Sequence, residues 1–140
     1  YGRCKGFEKW QPQLKEIYLN SEWKNLCDFN IALCDLICEA FEITTKRVRS
    51  SEICSQPLYG EALILEILKS LKATHYLSGK GEGSQKHISS QSFDEVNINL
   101  SFMDYDHITY SQICDGFIDN LSALDLILTH GSDSIKLLFH

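Results

Sequence analysis

The 140 residues carry 44% hydrophobic and 23% charged side chains with a formal net charge of −6. That is enough apolar material for one domain with its own core, and the acidic balance lacks the basic face of a duplex nucleic-acid binder, so nucleic acid is not an expected partner. No apolar run approaches the ~18 residues that span a bilayer and no basic-plus-apolar leader opens the chain, so membrane insertion is not expected either.

In chain order, Phe7, Trp10, Leu14, Ile17 and Tyr18 recur at helical spacing over residues 7–19, with Pro12 suiting a first turn. Ser21 is placed to cap a second helix over about 22–42, with Glu22 in its first turn. Trp23, Leu26, Cys27, Asn30, Ile31, Cys34, Ile37, Cys38 and Phe41 form its apolar stripe, and Lys24, Asp28, Asp35 and Glu39 fall elsewhere. Cys27, Cys34 and Cys38 share one helix face and are expected as inert core thiols. No CxxC pair exists among the six cysteines, so a structural zinc site is not expected, and many free thiols without a leader fit a reducing cytoplasm.

Residues 43–49, with Thr44, Thr45 and Val48, read as a strand. Residues 60–72 read as a helix that turns Leu63, Ile64, Ile67, Leu68 and Leu71 inward, and 73–77 as a short strand. The stretch from 43 to 77 is therefore expected to form a parallel βαβ unit. A short helix is expected over 92–96. An alternating strand follows over 97–103, with Ile98, Leu100 and Phe102 on one side. Asn120 or Ser122 caps a last main helix that Gly131 ends, and 134–139 add a turn or two. The expected fold is α/β, a small parallel or mixed sheet with a βαβ unit packed by several helices, in a single domain over 1–140.

Three constellations could carry chemistry. Ser50, Ser51 and Glu52 end the first expected strand, and Ser78 and Gly79 end the second. Ligands in open α/β sheets bind beyond the carboxyl ends of strands, and a parallel pair would bring both sets to one edge. Hydroxyls, exposed N–H groups and a carboxylate there suit a sugar or phosphate, although the same residue types also make helix entries and turns. Lys46, Arg47 and Arg49 either meet a nucleotide-sugar diphosphate or decorate a solvated edge strand. Second, Asp104, Tyr105, Asp106 and His107 precede Tyr110 and Gln112. His107 is a candidate general base with carboxylates nearby to orient it, or else a surface loop residue. No second histidine stands at a ligand spacing, so no metal is expected. Third, Ser122 and Asp125 have the spacing of a capping box, unless Asp125 turns toward the loops instead. Cys54 is a weaker candidate nucleophile.

Tyr76-Leu77-Ser78-Gly79, then Tyr110-Ser111-Gln112, then Phe117 with Leu121-Ser122-Ala123-Leu124-Asp125, in this order and spacing, resemble the C-terminal part of the WbqC-like family. The chain departs from that pattern at Asp119, where the family often has proline, and around His87-Ile88, where an aromatic is usual. The resemblance implies a cytoplasmic role in bacterial O-antigen or related polysaccharide biosynthesis, with glycyl or acyl transfer to a sugar as the suggested activity. It implies His107 and Asp125 as catalytic residues. With the strand-end argument, it implies Ser50, Ser51, Glu52, Tyr76, Ser78, Gly79, Tyr110 and Gln112 as substrate contacts. No cofactor is expected, and the expected partner is a sugar or nucleotide sugar. The alternative is a non-catalytic module that binds a sugar nucleotide or a partner enzyme. The chain begins at Tyr1, and the family carries a further N-terminal region, so the 140 residues are expected to be the C-terminal part of a longer protein.

Overall fold

The computed structural model describes residues 1–20, 22–83 and 88–138. They fall into two compact units, Tyr1–Thr45 with His107–His140, and Lys46–Asp106. Helices and one small parallel sheet make the chain an α/β protein.

The first unit is helical. Helix α1 spans Phe7–Lys15 and runs into a π-helical turn over Glu16–Asn20. Pro12 lies inside α1 rather than in its first turn, so its missing N–H leaves a helical carbonyl without its usual donor. Helix α2 spans Leu26–Ala40, four residues later than the expected start. Its cap is Asn25, whose Oδ1 accepts from the Asp28 N–H at 2.9 Å while its Nδ2 donates to the Asp28 carboxylate at 2.8 Å. The cap expected at Ser21 lies outside the described residues.

The core of this unit is built from Trp10, Leu36, Ala40, Phe41, Leu126, Ile127 and Leu128. The last three come from a helix over Ala123–His130, which Ser122 caps as expected by accepting the Leu124 N–H. The helix stops at Gly131, whose φ of 59° is a conformation glycine adopts freely. A 3₁₀ turn over Gly131–Asp133 and a helical turn over Ser134–Leu138 follow. Gly6 meets this corner directly. Its N–H donates to the Leu128 carbonyl at 3.0 Å, and a Cβ at position 6 would collide with the Ile127 carbonyl and come 2.9 Å from the Gly131 Cα. Only glycine lets these two backbones approach so closely.

The expected core cysteines are a correction. Cys27 and Cys34 are exposed and Cys38 is half-buried, because α2 turns Leu36 and Ala40 to the core instead. Asn30, on the expected stripe, is exposed as well.

In the second unit, residues 43–49 leading into it form no strand and are exposed throughout. Thr44, Thr45 and Val48 are β-prone but have no neighbouring strand, and propensity without a partner surface does not make a strand. Ser50–Ile53 is a short helix, α3, and Gly60–Ser70 is α4, which buries Leu68 but leaves Leu71 47% exposed. Strand β1 spans His75–Ser78, a helical turn α5 spans Ser90–Asp94, and strand β2 spans Asn99–Phe102. The strands pair in parallel with His75 opposite Asn99 and Ser78 opposite Phe102. The βαβ unit therefore exists, but one strand later than expected. Leu68, Phe93 and Ile98 are its buried core, with Tyr76 and Leu100 packed against them. Glu61 of α4 caps α5 from outside. The Ser92 hydroxyl and, second to it, the Ser89 N–H donate to its carboxylate and hold that carboxyl below the usual range.

With α3, α4 and α5 so numbered, the helix over Ala123–His130 is α6 and the turn over Ser134–Leu138 is α7. Among the described residues, no helix is long and apolar enough to cross a membrane.

Candidate functional site

The parallel pairing brings the carboxyl ends of β1 and β2 together. The Met103 N–H donates to the Ser78 carbonyl at 2.8 Å, so both chains leave the sheet at one edge. Ser78 is 3% exposed, and Gly79 just beyond it is exposed. From that point Lys80 reaches the Asp104 carboxylate at 2.5 Å, with both side chains largely in water. Such a pair contributes little to stability; its relevance is that it sets one cation and one carboxylate beside a glycine at the strand ends.

Tyr76, expected at the ligand, stacks its ring on Phe93 at 5.6 Å with planes 12° apart. That ring serves the core. Ser50, Ser51 and Glu52 are exposed and open α3. The strand they were expected to end does not form, so the pairing that was to carry them to the edge beside Ser78 is absent. The partner at that edge is the segment after β2. Lys80 and Asp104 are the residues the spacing argument missed as a pair. Asp104 stands out in the sequence as a carboxylate near His107, and assigning β2 as the partner of β1 would have placed it beside Lys80.

The other expected residues lie in the helical unit. Asp125 is 6% exposed and sits in the first turn of α6. Its backbone N–H bonds back to Ser122, while its side chain turns away from the cap. One carboxylate oxygen accepts the Tyr1 hydroxyl at 2.6 Å and the other the Tyr110 hydroxyl at 2.8 Å. The structure thus joins two expected site residues, Asp125 and Tyr110, and adds Tyr1. The Tyr1 phenol is pushed up to about 12, chiefly because ionising it would end its donation to Asp125, and further by burial and the carboxylate charge.

Tyr110 also meets Phe117 and His130 edge-on at 5.5 and 5.7 Å. A ring nitrogen of His130 lies 2.9 Å from the Ser111 carbonyl, which makes that nitrogen the donor. Gln112 uses both ends of its amide on one backbone residue: Nε2 donates to the Ile118 carbonyl at 2.7 Å and Oε1 accepts the Ile118 N–H at 2.8 Å. This clamp closes the loop over 112–118. His107 is exposed. Among the described residues, no three His, Cys, Asp or Glu side chains gather as a metal site would require.

The segments that build these two places are the ones whose order resembled a known family, and comparison bears this out. The profile of the WbqC-like protein family matches residues 1–137. The chain belongs to the WbqC-like family. It is also similar to the uncharacterized protein Rv1507c of Mycobacterium tuberculosis (strain ATCC 25618 / H37Rv), at 28% identity over 135 residues. That match covers 96% of this chain and 57% of the relative, so this WbqC-like chain spans little more than half of the relative's length. No solved structure matches.

Proposed function

We infer that this WbqC-like protein binds a sugar or nucleotide sugar at the carboxyl edge of β1 and β2, in the cytoplasm, during bacterial O-antigen or related polysaccharide biosynthesis. The observation that carries the binding reading is the parallel pair. Ser78, Gly79 and Lys80 leave β1 where Met103 and Asp104 leave β2, and strand carboxyl ends are where open α/β sheets receive ligands. Gly79 allows close approach to the backbone. Lys80 offers a cation to a diphosphate, which would exchange one anionic partner for another. Membership of the family supports the polysaccharide setting of this reading.

Titration of the full-length protein with UDP-glucose and with UDP tests this. Lys80→Ala removes a charged contact and should weaken binding by about tenfold or more. Gly79→Val should weaken it comparably by obstructing the backbone. Unchanged affinity in both variants removes this edge from the site.

Transfer of a glycyl or acyl group to a sugar hydroxyl is the second reading, and the exposed imidazole of His107 supports it. In that reaction the hydroxyl oxygen attacks the acyl carbonyl, the imidazole takes the hydroxyl proton, and the activating group leaves. Asp125 would act through Tyr110, since both its oxygens already accept phenol hydrogen bonds. His107→Ala should then keep ligand binding and lose turnover; a variant that still turns over removes the imidazole from the chemistry.

A further inference from the structure

One face of α1 continues into the π-helical turn and stays open to water. Gln11, Leu14, Lys15, Tyr18 and Leu19 recur there at helical spacing and line a shallow cavity of about 400 Å³. Leu14 is half-buried and packs against the core, so it is the fixed part of the lining. Tyr18 is 56% exposed and Leu19 71%. A stripe at this spacing is commonly apolar and covered. This one sets an amide and an ammonium among apolar groups, and ligand sites are built that way: apolar and aromatic walls with a few polar groups.

The backbone departs from the α-helix at this point, and the departure is braced. Glu16–Asn20 is a π-helical turn, a rare form that is frequent at functional sites. The Trp23 indole N–H donates to the Ile17 carbonyl within that turn at 2.7 Å. Phe29 meets two rings edge-on, Tyr18 at 5.1 Å and Trp23 at 5.9 Å. Edge-on contacts of this kind fix a ring's position. Tyr18 is therefore held in place and yet more than half in water.

We propose that this cavity binds a pyranose ring bearing one carboxylate, a hexuronate unit of a glycan. A pyranose has an apolar C–H face, which suits the Tyr18 ring and Leu14, and a rim of hydroxyls, which suits the Gln11 amide. Lys15 supplies a single cation for the single carboxylate. The phosphates of a nucleotide fit less well, because the chain carries a net charge of −6 and the lining holds one cation. The inference stands apart from the strand-edge reading, since every lining residue comes from α1 and the π-helical turn.

The experiment follows backbone amide shifts of the full-length protein during titration with methyl β-D-glucuronide, methyl β-D-glucoside and uridine monophosphate. The expected result is saturable, millimolar binding of the glucuronide, with shifts centred on residues 11–19. The glucoside should bind about two- to fivefold more weakly, the worth of one exposed ion pair. Lys15→Ala should erase that preference and leave the glucoside unchanged. Tyr18→Leu keeps apolar bulk at an exposed position, so the fold persists, and should weaken both sugars by about three- to tenfold. Gly79→Val and Lys80→Ala should leave these shifts as they are.

The absence of a saturable shift at residues 11–19, equal affinity for the two sugars, or tighter binding of uridine monophosphate overturns the proposal. Loss of the shifts in Gly79→Val or Lys80→Ala overturns it too, by tracing the binding to the strand edge.

Discussion

Among the described residues, 1–45 with 107–140 bury seven apolar side chains in one cluster and tie the buried Asp125 to two phenols. The described residues of 46–106 bury three apolar side chains in their cluster and set Lys80 and Asp104 at an open strand edge. In the first unit Tyr1 and Tyr110 donate to Asp125, and Gln112 donates to the Ile118 carbonyl. In the second, Lys80 and Asp104 pair in water. A buried network rigidifies what it connects, while an exposed ion pair exchanges easily. The contrast is between a unit whose buried carboxylate is tied up internally and one whose strand edge, where the proposed ligand would bind, is open to water.

The largest test is of the cores themselves. Phe93→Ala and Trp10→Ala remove fully buried aromatics, and each should cost about 3–5 kcal/mol. The outcomes should differ. Among the described residues, Leu68 and Ile98 are the other buried members of its cluster, so loss of Phe93 should abolish amide protection in the second unit, whereas Trp10→Ala should leave a destabilised but folded helical unit. Equal collapse of both units in either variant, read by hydrogen exchange, would show that they unfold as one. Gly6→Ala comes next. The added methyl meets backbone rather than a flexible side chain, so a cost of about 1–3 kcal/mol is expected, confined in hydrogen exchange to the helical unit.

The Asp125 network ranks third. Tyr110→Phe leaves one carboxylate oxygen of a buried aspartate without its donor, at a cost of about 1.5–3 kcal/mol in chemical denaturation. Tyr1→Phe should cost less, because Tyr1 is 48% exposed. The pH dependence has a definite sign. The Tyr1 pKa is raised by folding, from 10.0 to about 12. Its contribution is therefore whole below pH 10 and lost as pH rises toward 12. Absorbance titration at 295 nm should show a late tyrosinate that is lost in Tyr1→Phe. A titration unchanged by that substitution would detach Tyr1 from Asp125.

Much of this architecture could be read from periodicity, and the failures have specific causes. The helices of the first unit, the Ser122 cap and the strand after residue 97 followed from apolar spacing. Residues 43–49 failed because strand propensity says nothing about a partner, and the true partner of β1 lay downstream. The cysteine stripe failed because α2 is apolar around more than one face, and spacing cannot say which of them meets the core. Family order pointed to Tyr110 and Asp125, but nothing in the sequence announced the hydrogen bond between them. Tyr1 joined them with no local signal, since a contact across 124 positions has none.

Helix ends were also blurred, and the reason yields the smallest prediction. Glu42, Lys72 and Asn97 all have φ near +55°. Each closes a helix in the same way: Ile43, Ala73 and Ile98 donate their N–H groups back to Cys38, Leu68 and Phe93 at 2.8, 2.9 and 3.0 Å. This is the Schellman ending, which usually announces itself by glycine; here no glycine marks it. A left-handed residue other than glycine or asparagine is strained, so Glu42→Gly and Lys72→Gly should each stabilise by about 0.5–1 kcal/mol, and Asn97→Gly by less. Because Glu42 lies in the helical unit and Lys72 in the other, the pair also probes the comparison itself. Under hydrogen exchange, Glu42→Gly should slow opening only in the first unit and Lys72→Gly only in the second. If either substitution protects both units alike, the contrast between a rigid helical unit and an independently stable open-edged one fails, and the strand edge must share the stability of the Asp125 network.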